Sequence, residues 1–172
     1  MRATVPGFLL FAPLLLTSCE QPKSQTQKAR EDARAIAQVE AAQDAAPPPV
    51  PLDPQPITAA DLEKNRLYGA GCSLTPSAQP GGDPVLLADQ NRAVMKVGGK
   101  FVTFAADSGS EELAMGVRTH YVGKAQSLML EKGAGDGAHL GEEAMRWDGR
   151  VAVRDAHDQL VYANAGQIVC GS

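Results

Sequence analysis

The sequence predicts an all-β domain, a small antiparallel barrel or meander of about eight strands, preceded by one short helix and a disordered or helical tether. From Cys72 onward, short runs rich in β-branched and aromatic residues alternate with Gly, Asp and Asn turns, about ten residues apart. Two pairs of runs also flank dipeptides typical of hairpin turns, Gly98-Gly99 and Asp148-Gly149. A closed barrel suits such a short domain because it leaves no open sheet edge.

The globular domain is predicted to span residues 57–172. Thr58 is expected to cap the short helix, with Asp61 supporting its first turn and Leu62 and Leu67 docking it. The predicted strands follow in chain order: residues 85–88, 93–97, 100–104, 117–122, 126–131, 144–147, 150–154, 159–163 and 167–170.

The tether is predicted to cover residues 19–56. Residues 29–46 are rich in good helix formers, but only Ile36 and Val39 are apolar beyond alanine, which favours a marginal, solvated helix. Residues 47–56 are rich in proline, which favours a semi-rigid polyproline spacer. A proline-rich recognition motif is the alternative interpretation of this segment.

The apolar segment over residues 8–16 follows Arg2 and has the proportions of a signal peptide. A membrane-spanning helix needs about 20 apolar residues, so this segment is too short to be one. The chain is therefore expected to be exported, and an ordinary cleaved secretory signal is one possible reason.

The run Leu16-Thr17-Ser18-Cys19 resembles a bacterial lipobox. The resemblance implies that residues 1–18 are a lipoprotein signal peptide and that Cys19 becomes the acylated N-terminus. Several acyl chains on one cysteine anchor a protein stably in a bilayer. Glu20 stands where an Asp would favour inner-membrane retention, so resemblance to enterobacterial sorting favours the outer membrane, facing the periplasm.

Cys72 and Cys170 remain after Cys19 is assigned to lipid. An even pair of cysteines in an oxidising compartment predicts a disulfide. Two buried free thiols are the alternative.

Composition and motifs disfavour several classes of function. The formal net charge is −4 with both signs interspersed and no basic patch, so a nucleic-acid partner is not expected. Common hydrolase, metalloprotease and dithiol motifs are absent from the sequence. We therefore predict neither enzyme activity nor a cofactor nor a metal.

Two segments carry residue types that bind ligands in other proteins. Asp155, His157 and Asp158 suit metal binding or proton transfer, but they stand where a hairpin must turn, and Asp is a turn-forming residue. Residues 132–143 are glycine-rich but lack the phosphate-loop spacing. A turn and a mobile hairpin loop are the favoured interpretations, with a binding loop as the alternative for residues 132–143.

The most suggestive group is the stretch Asp107-Ser108-Gly109-Ser110, followed by Arg118 and Tyr121. Hydroxyl residues on a tight turn beside a cation are suited to enter a cleft lined with carboxylates, where the cation forms charge-assisted hydrogen bonds. An ordinary loop that joins two strands is the alternative.

The layout of the chain resembles the membrane-bound inhibitors of C-type lysozyme, which are small periplasmic β-barrel lipoproteins. Besides the lipobox and the early cysteine, the matching residues are Ser108-Gly109-Ser110, Arg118, Tyr121, Gly123, Lys132-Gly133 and Cys170. The resemblance implies an eight-stranded barrel that inserts a serine, Ser110 or Ser108, and Lys132 into the active-site cleft of a lysozyme. In this chain residues 111–117 separate the serines from Arg118. The chain is also similar to uncharacterised lipoproteins of alphaproteobacteria.

We therefore expect a lipid-anchored protein whose β-domain is a non-enzymatic binding module, with a lysozyme inhibitor as its sharpest form. A structural or assembly lipoprotein with a protein partner in the cell envelope is the alternative. A hydrolytic or metal-dependent enzyme that uses Asp155, His157 and Asp158 is the least favoured.

Overall fold

The computed structural model describes residues 24–172, so the predicted lipobox and signal segment lie outside the described residues. The chain divides into two compact units, Met1–Ala45 and Ala46–Ser172.

The described part of the first unit is one helix, α1 (Gln25–Asp44). Ser24 caps it, and the side chain of Gln27 returns to the Ser24 backbone to complete a capping box. Ile36 and Val39 are both more than half exposed, and no residue of the helix is buried. Within residues 24–172, no helix combines the length and the apolar character that crossing a membrane requires.

The second unit is built of ten strands and a short helix, α2 (Ala59–Asn65). The strands are β1 (Pro54–Gln55), β2 (Gly71–Pro76), β3 (Leu86–Ala88), β4 (Arg92–Val97), β5 (Lys100–Ala106), β6 (His120–Val122), β7 (Gln126–Lys132), β8 (Ala138–Leu140), β9 (Ala144–Asp155) and β10 (Leu160–Gly171). A single turn of 3₁₀ helix, Ala114–Gly116, lies between β5 and β6.

Eight of these strands close into an antiparallel barrel. Their order around the barrel is β4, β3, β2, β10, β9, β7, β6 and β5, and β5 then pairs with β4. The two extra strands lie outside the ring, since β1 pairs with the end of β4 and β8 with the start of β9. The predicted small antiparallel barrel is therefore confirmed.

The predicted hairpin at Asp148-Gly149 is wrong, because β9 runs straight through it for 12 residues. The predicted break between residues 159–163 and 167–170 is wrong too, since β10 is a single strand. Glycine serves close packing at both places. A Cβ on Gly149 would collide with the Ile168 side chain, and one on Gly166 with the Thr75 carbonyl oxygen.

The barrel interior holds the hydrophobic core. Its largest fully buried side chains are Tyr121, Phe104, Leu74, Leu86, Met95, Leu128, Leu130, Ile168, Val117, Val151 and Val153. The predicted disulfide is present: Cys72 on β2 lies directly opposite Cys170 on β10, and the bond links residues 98 positions apart.

The short helix α2 begins where it was predicted. Thr58 forms a capping box with Asp61, whose carboxylate also receives a hydrogen bond of 2.8 Å from the Lys96 ammonium on β4. These hydrogen bonds, chiefly the one from Lys96, lower the pKa of Asp61 to about 2. The segment before residue 57 also belongs to the second unit, because Leu52 donates a backbone hydrogen bond to Val161.

Candidate functional site

The strand topology brings the predicted serines and lysine to the same end of the barrel. β5 ends at Ala106, the antiparallel β6 follows, and β7 returns to end at Lys132. We call this the loop end. It carries two long connections, the serine loop (residues 107–119) and the glycine loop (residues 133–143).

The serine loop closes the loop end of the barrel. Val117 is completely buried in the core, and Leu113 and Ala114 pack against the core. The backbone N–H of Leu113 donates to the Val117 carbonyl at 2.6 Å, which folds the loop back on itself. Leu113, Ala114 and Val117 therefore cover the barrel mouth.

Tyr121 fixes the serine loop from inside the barrel. Its ring is fully buried, and its hydroxyl accepts a hydrogen bond from the Arg118 backbone N–H at 2.9 Å. The same hydroxyl donates to the Asp89 carbonyl at 2.8 Å. Burial raises the pKa of Tyr121, so the hydroxyl stays protonated and keeps this donor.

Ser110 and Arg118 hold the loop from within. The Ser110 hydroxyl donates to the Asp107 carbonyl at 2.8 Å and accepts from the His120 backbone N–H at 3.3 Å. The Arg118 guanidinium donates to the Ser110 carbonyl and pairs with Glu112 at 3.3 Å. Both side chains are therefore engaged in the loop itself.

Asp107 anchors the start of the same loop. Its carboxylate lies 3.0 Å from His120 Nδ1 and also accepts the Gly109 backbone N–H at 2.9 Å. The hydrogen bond with the His120 side chain is the main cause that lowers the pKa of Asp107, followed by the Gly109 N–H. The carboxylate is thus stabilised in its charged form.

Ser108 is the free hydroxyl of this turn. It is exposed, and across residues 24–172 its hydroxyl makes no hydrogen bond. Its neighbours Asp107 and Ser110 are fixed by the hydrogen bonds described above. The loop therefore presents the Ser108 side chain to solvent from a fixed backbone.

Lys132 is exposed at the end of β7, with its Nζ 5.7 Å from the centre of the Trp147 ring. A cation over an aromatic face gains a modest electrostatic attraction. Trp147 packs against the core, but its buried Nε1 has no hydrogen-bond partner within the described residues. Gly137 of the glycine loop lies against this ring, because a Cβ there would collide with Trp147 Nε1.

The cluster of Asp155, His157 and Asp158 forms the turn between β9 and β10, at the opposite end of the barrel. The Asp155 carboxylate accepts the backbone N–H groups of His157 and Gln159, each at 2.9 Å. Asp158 has a φ of 59°, which a turn residue of this type tolerates. Among residues 24–172, no three side chains of the metal-binding types lie close enough to hold an ion.

Sequence reasoning included Asp107 in the serine stretch without giving it a role, and it missed His120 and Asp89 as parts of the loop end. The Asp107-Ser108-Gly109 run carries an Asx-turn signal, which made Asp107 accessible to prediction. Nothing local marks His120 or Asp89, because their contacts come from other parts of the chain.

Comparisons of the chain with protein-family models, with curated proteins and with solved structures found no match.

Proposed function

We propose that this chain is a lipid-anchored protein of the outer membrane, facing the periplasm, whose barrel binds another protein without catalysing a reaction. In its sharpest form the bound protein is a C-type lysozyme. The single observation that carries the proposal is the common location of Ser108 and Lys132 at the loop end.

The chemistry of a lysozyme cleft suits these two side chains. Glycoside hydrolases use a pair of carboxyl groups that flank the scissile bond. The Lys132 ammonium would pair with such a carboxylate, and a hydroxyl would donate a charge-assisted hydrogen bond to it. A protein that fills the cleft in this way excludes the glycan substrate.

The geometry divides the predicted binding residues into two groups. Ser108 and Lys132 are exposed and would touch the partner. Ser110, Arg118 and Tyr121 are engaged in hydrogen bonds of the serine loop and would hold it in its binding conformation. Because a preorganised loop loses little entropy on binding, this rigidity would favour affinity.

The anchor would be the acylated Cys19. Between it and the barrel lie α1, about 30 Å long at 1.5 Å per residue, and the proline-rich segment. Labelling of growing bacteria with a fatty acid is expected to mark the wild-type chain and to leave a Cys19→Ser variant unmarked. Labelling of the variant would remove the anchor from the proposal.

The function is tested by the lysis of bacterial cell walls with a C-type lysozyme. The purified chain should slow lysis at micromolar concentration, and Lys132→Ala should weaken the inhibition at least about tenfold, since a cation is lost from a desolvated contact. Lys124→Ala is the matched control, because Lys124 is an exposed lysine at the other end of the barrel. No inhibition by the wild type would overturn the proposal.

A second candidate is a structural or assembly role with a protein partner in the envelope. It is favoured by Val122 and Met129, which are exposed on the outer face of neighbouring strands β6 and β7 by 48% and 42%. Crosslinking in cells should then capture one envelope protein in a manner that Met129→Lys abolishes and Lys132→Ala does not. Capture that depends on Lys132 instead would contradict this role.

A further inference from the structure

A groove of about 270 Å³ lies on the outer wall of the barrel, beside the segment that follows α2. It is separate from the residues of the proposed lysozyme contact. Its floor is a row of side chains that face outward from neighbouring strands: Val94 on β4, Leu87 on β3, Ser73 on β2 and Val169 on β10. The floor is therefore largely apolar.

Tyr68 forms one wall of this groove. Its side chain is 65% exposed, the most exposed of the aromatic residues in the barrel unit. Burial of an aromatic ring lowers its free energy, and an exposed ring lacks this gain. A large exposed ring at the rim of a groove therefore indicates a contact surface. The phenol also carries a hydroxyl that donates and accepts hydrogen bonds.

The polar end of the groove holds one carboxylate and one guanidinium. Asp89 and Arg92 lie 3.7 Å apart and are partly exposed. One Asp89 oxygen accepts the backbone N–H groups of Asn91 and Arg92, and the other faces the Arg92 guanidinium at 3.7 Å, beyond hydrogen-bond distance. The two charges cancel, so the groove offers donors and acceptors without attracting a net charge.

A second hollow of about 300 Å³ adjoins the first, because both are lined by Ala70 and Asp89. It adds Met115 of the serine loop, together with Gln90 and Asn91, which are exposed and carry carboxamides that hydrogen-bond hydroxyl groups in both directions. The two hollows therefore form one path along the shared residues Ala70 and Asp89.

We propose that this path binds a neutral sugar chain, with one pyranose ring stacked on Tyr68. A pyranose has an apolar C–H face for the ring and the apolar floor, and a rim of hydroxyl groups for Asp89, Arg92 and the carboxamides. A fully apolar ligand would leave the charged pair unsatisfied, and that costs free energy on burial. An ionic ligand of either sign would lie close to a side chain of the same sign, because the groove holds both Asp89 and Arg92. The inference does not depend on lysozyme inhibition.

The test is an NMR titration of the purified full chain with two neutral trisaccharides, cellotriose and tri-N-acetylchitotriose. At least one should cause saturable shifts at the amides of residues 68–71 and 87–92. Tyr68→Ala should weaken this binding about tenfold, the size of one lost aromatic contact, and Tyr68→Phe should retain most of it.

Met129→Ala is the matched control, because it removes a large exposed apolar side chain from the opposite wall. The proposal is overturned if neither trisaccharide gives saturable shifts at millimolar concentration, or if Tyr68→Ala binds as tightly as Met129→Ala. No lysozyme is present in this assay, so its failure would leave the proposed function untouched.

Discussion

The two loops at the loop end are similar in length but are held in opposite ways. The serine loop has a buried anchor, Val117, and hydrogen bonds that tie Asp107, Ser110 and Arg118 to one another or to β6. In the glycine loop every residue from 134 to 143 is exposed, and its order comes from the pairing of β8 with β9.

The difference shows that buried contacts, and not the length of a loop, decide how firmly the loop is held. A loop of small and polar residues becomes rigid when one apolar side chain enters the core and its backbone groups find fixed partners. The glycine loop buries no apolar side chain, and only β8 and the Gly133 N–H pair with the backbone of β9. Ser108 therefore lies on the loop with the buried anchor, and Lys132 lies where β7 meets the exposed glycine loop.

The largest expected effect comes from removing the disulfide, which joins β2 to β10. The Ala114–Gly116 turn of the serine loop packs on both of these strands. Replacing both Cys72 and Cys170 with Ser should lower the free energy of unfolding by about 2–5 kcal/mol. Hydrogen exchange should quicken in the serine loop and stay unchanged in the glycine loop. Equal quickening in both loops would contradict the comparison.

The hydroxyl of Tyr121 is the next largest contribution. Tyr121→Phe leaves the Arg118 N–H and the Asp89 carbonyl without their partner, which should cost about 1–3 kcal/mol in chemical denaturation. Tyr68→Phe removes an exposed hydroxyl and is the control, with an expected change within about 0.5 kcal/mol. Equal effects of the two variants would mean that the hydroxyl does not hold the loop.

In the glycine loop, two glycines provide a matched pair. Gly137 and Gly135 both have positive φ, so alanine is strained at either, by about 1–2 kcal/mol. Only at Gly137 would the new Cβ collide with the Trp147 ring. Gly137→Ala should shift the Trp147 fluorescence and Gly135→Ala should not. Identical spectra would show that the loop does not rest on the ring.

The smallest expected effect is a response of the serine loop to acid. The pKa of Asp107 in the folded chain lies below the usual value for an aspartate. The charged carboxylate therefore stabilises the fold at every pH above the usual pKa, and this stabilisation is lost as the pH falls through the folded-state pKa. Wild-type stability should therefore fall more steeply below about pH 4 than that of Asp107→Asn. Parallel curves would remove Asp107 from the set of loop anchors.

The barrel could be predicted from the sequence because the patterns that indicate its strands are local. Hairpin turns such as Gly98-Gly99 and short apolar runs such as residues 93–95 of β4 can be recognised within a few positions. The disulfide was predicted because two cysteines remain once Cys19 is assigned to lipid. Thr58 identified the start of α2 because a capping box is encoded in four consecutive residues.

The errors have a common physical cause. Gly149 and Gly166 were read as turn glycines, but they allow neighbouring strands to approach, and which strands are neighbours is decided by the whole barrel. The same limit applied to the serines. The resemblance put Ser110 ahead of Ser108 as the inserting serine, and only the positions of Asp107 and His120 distinguish the free hydroxyl of Ser108 from the engaged hydroxyl of Ser110.

The most direct test of the account is the inhibition of a C-type lysozyme by Ser108→Ala, beside Ser77→Ala as the control serine, which is exposed at the other end of the barrel. Ser108→Ala should raise the inhibition constant about tenfold, as expected for the loss of one hydrogen bond to a charged group, with an unchanged unfolding midpoint. If it inhibits as strongly as Ser77→Ala, the serine loop is not the arm that enters the lysozyme cleft.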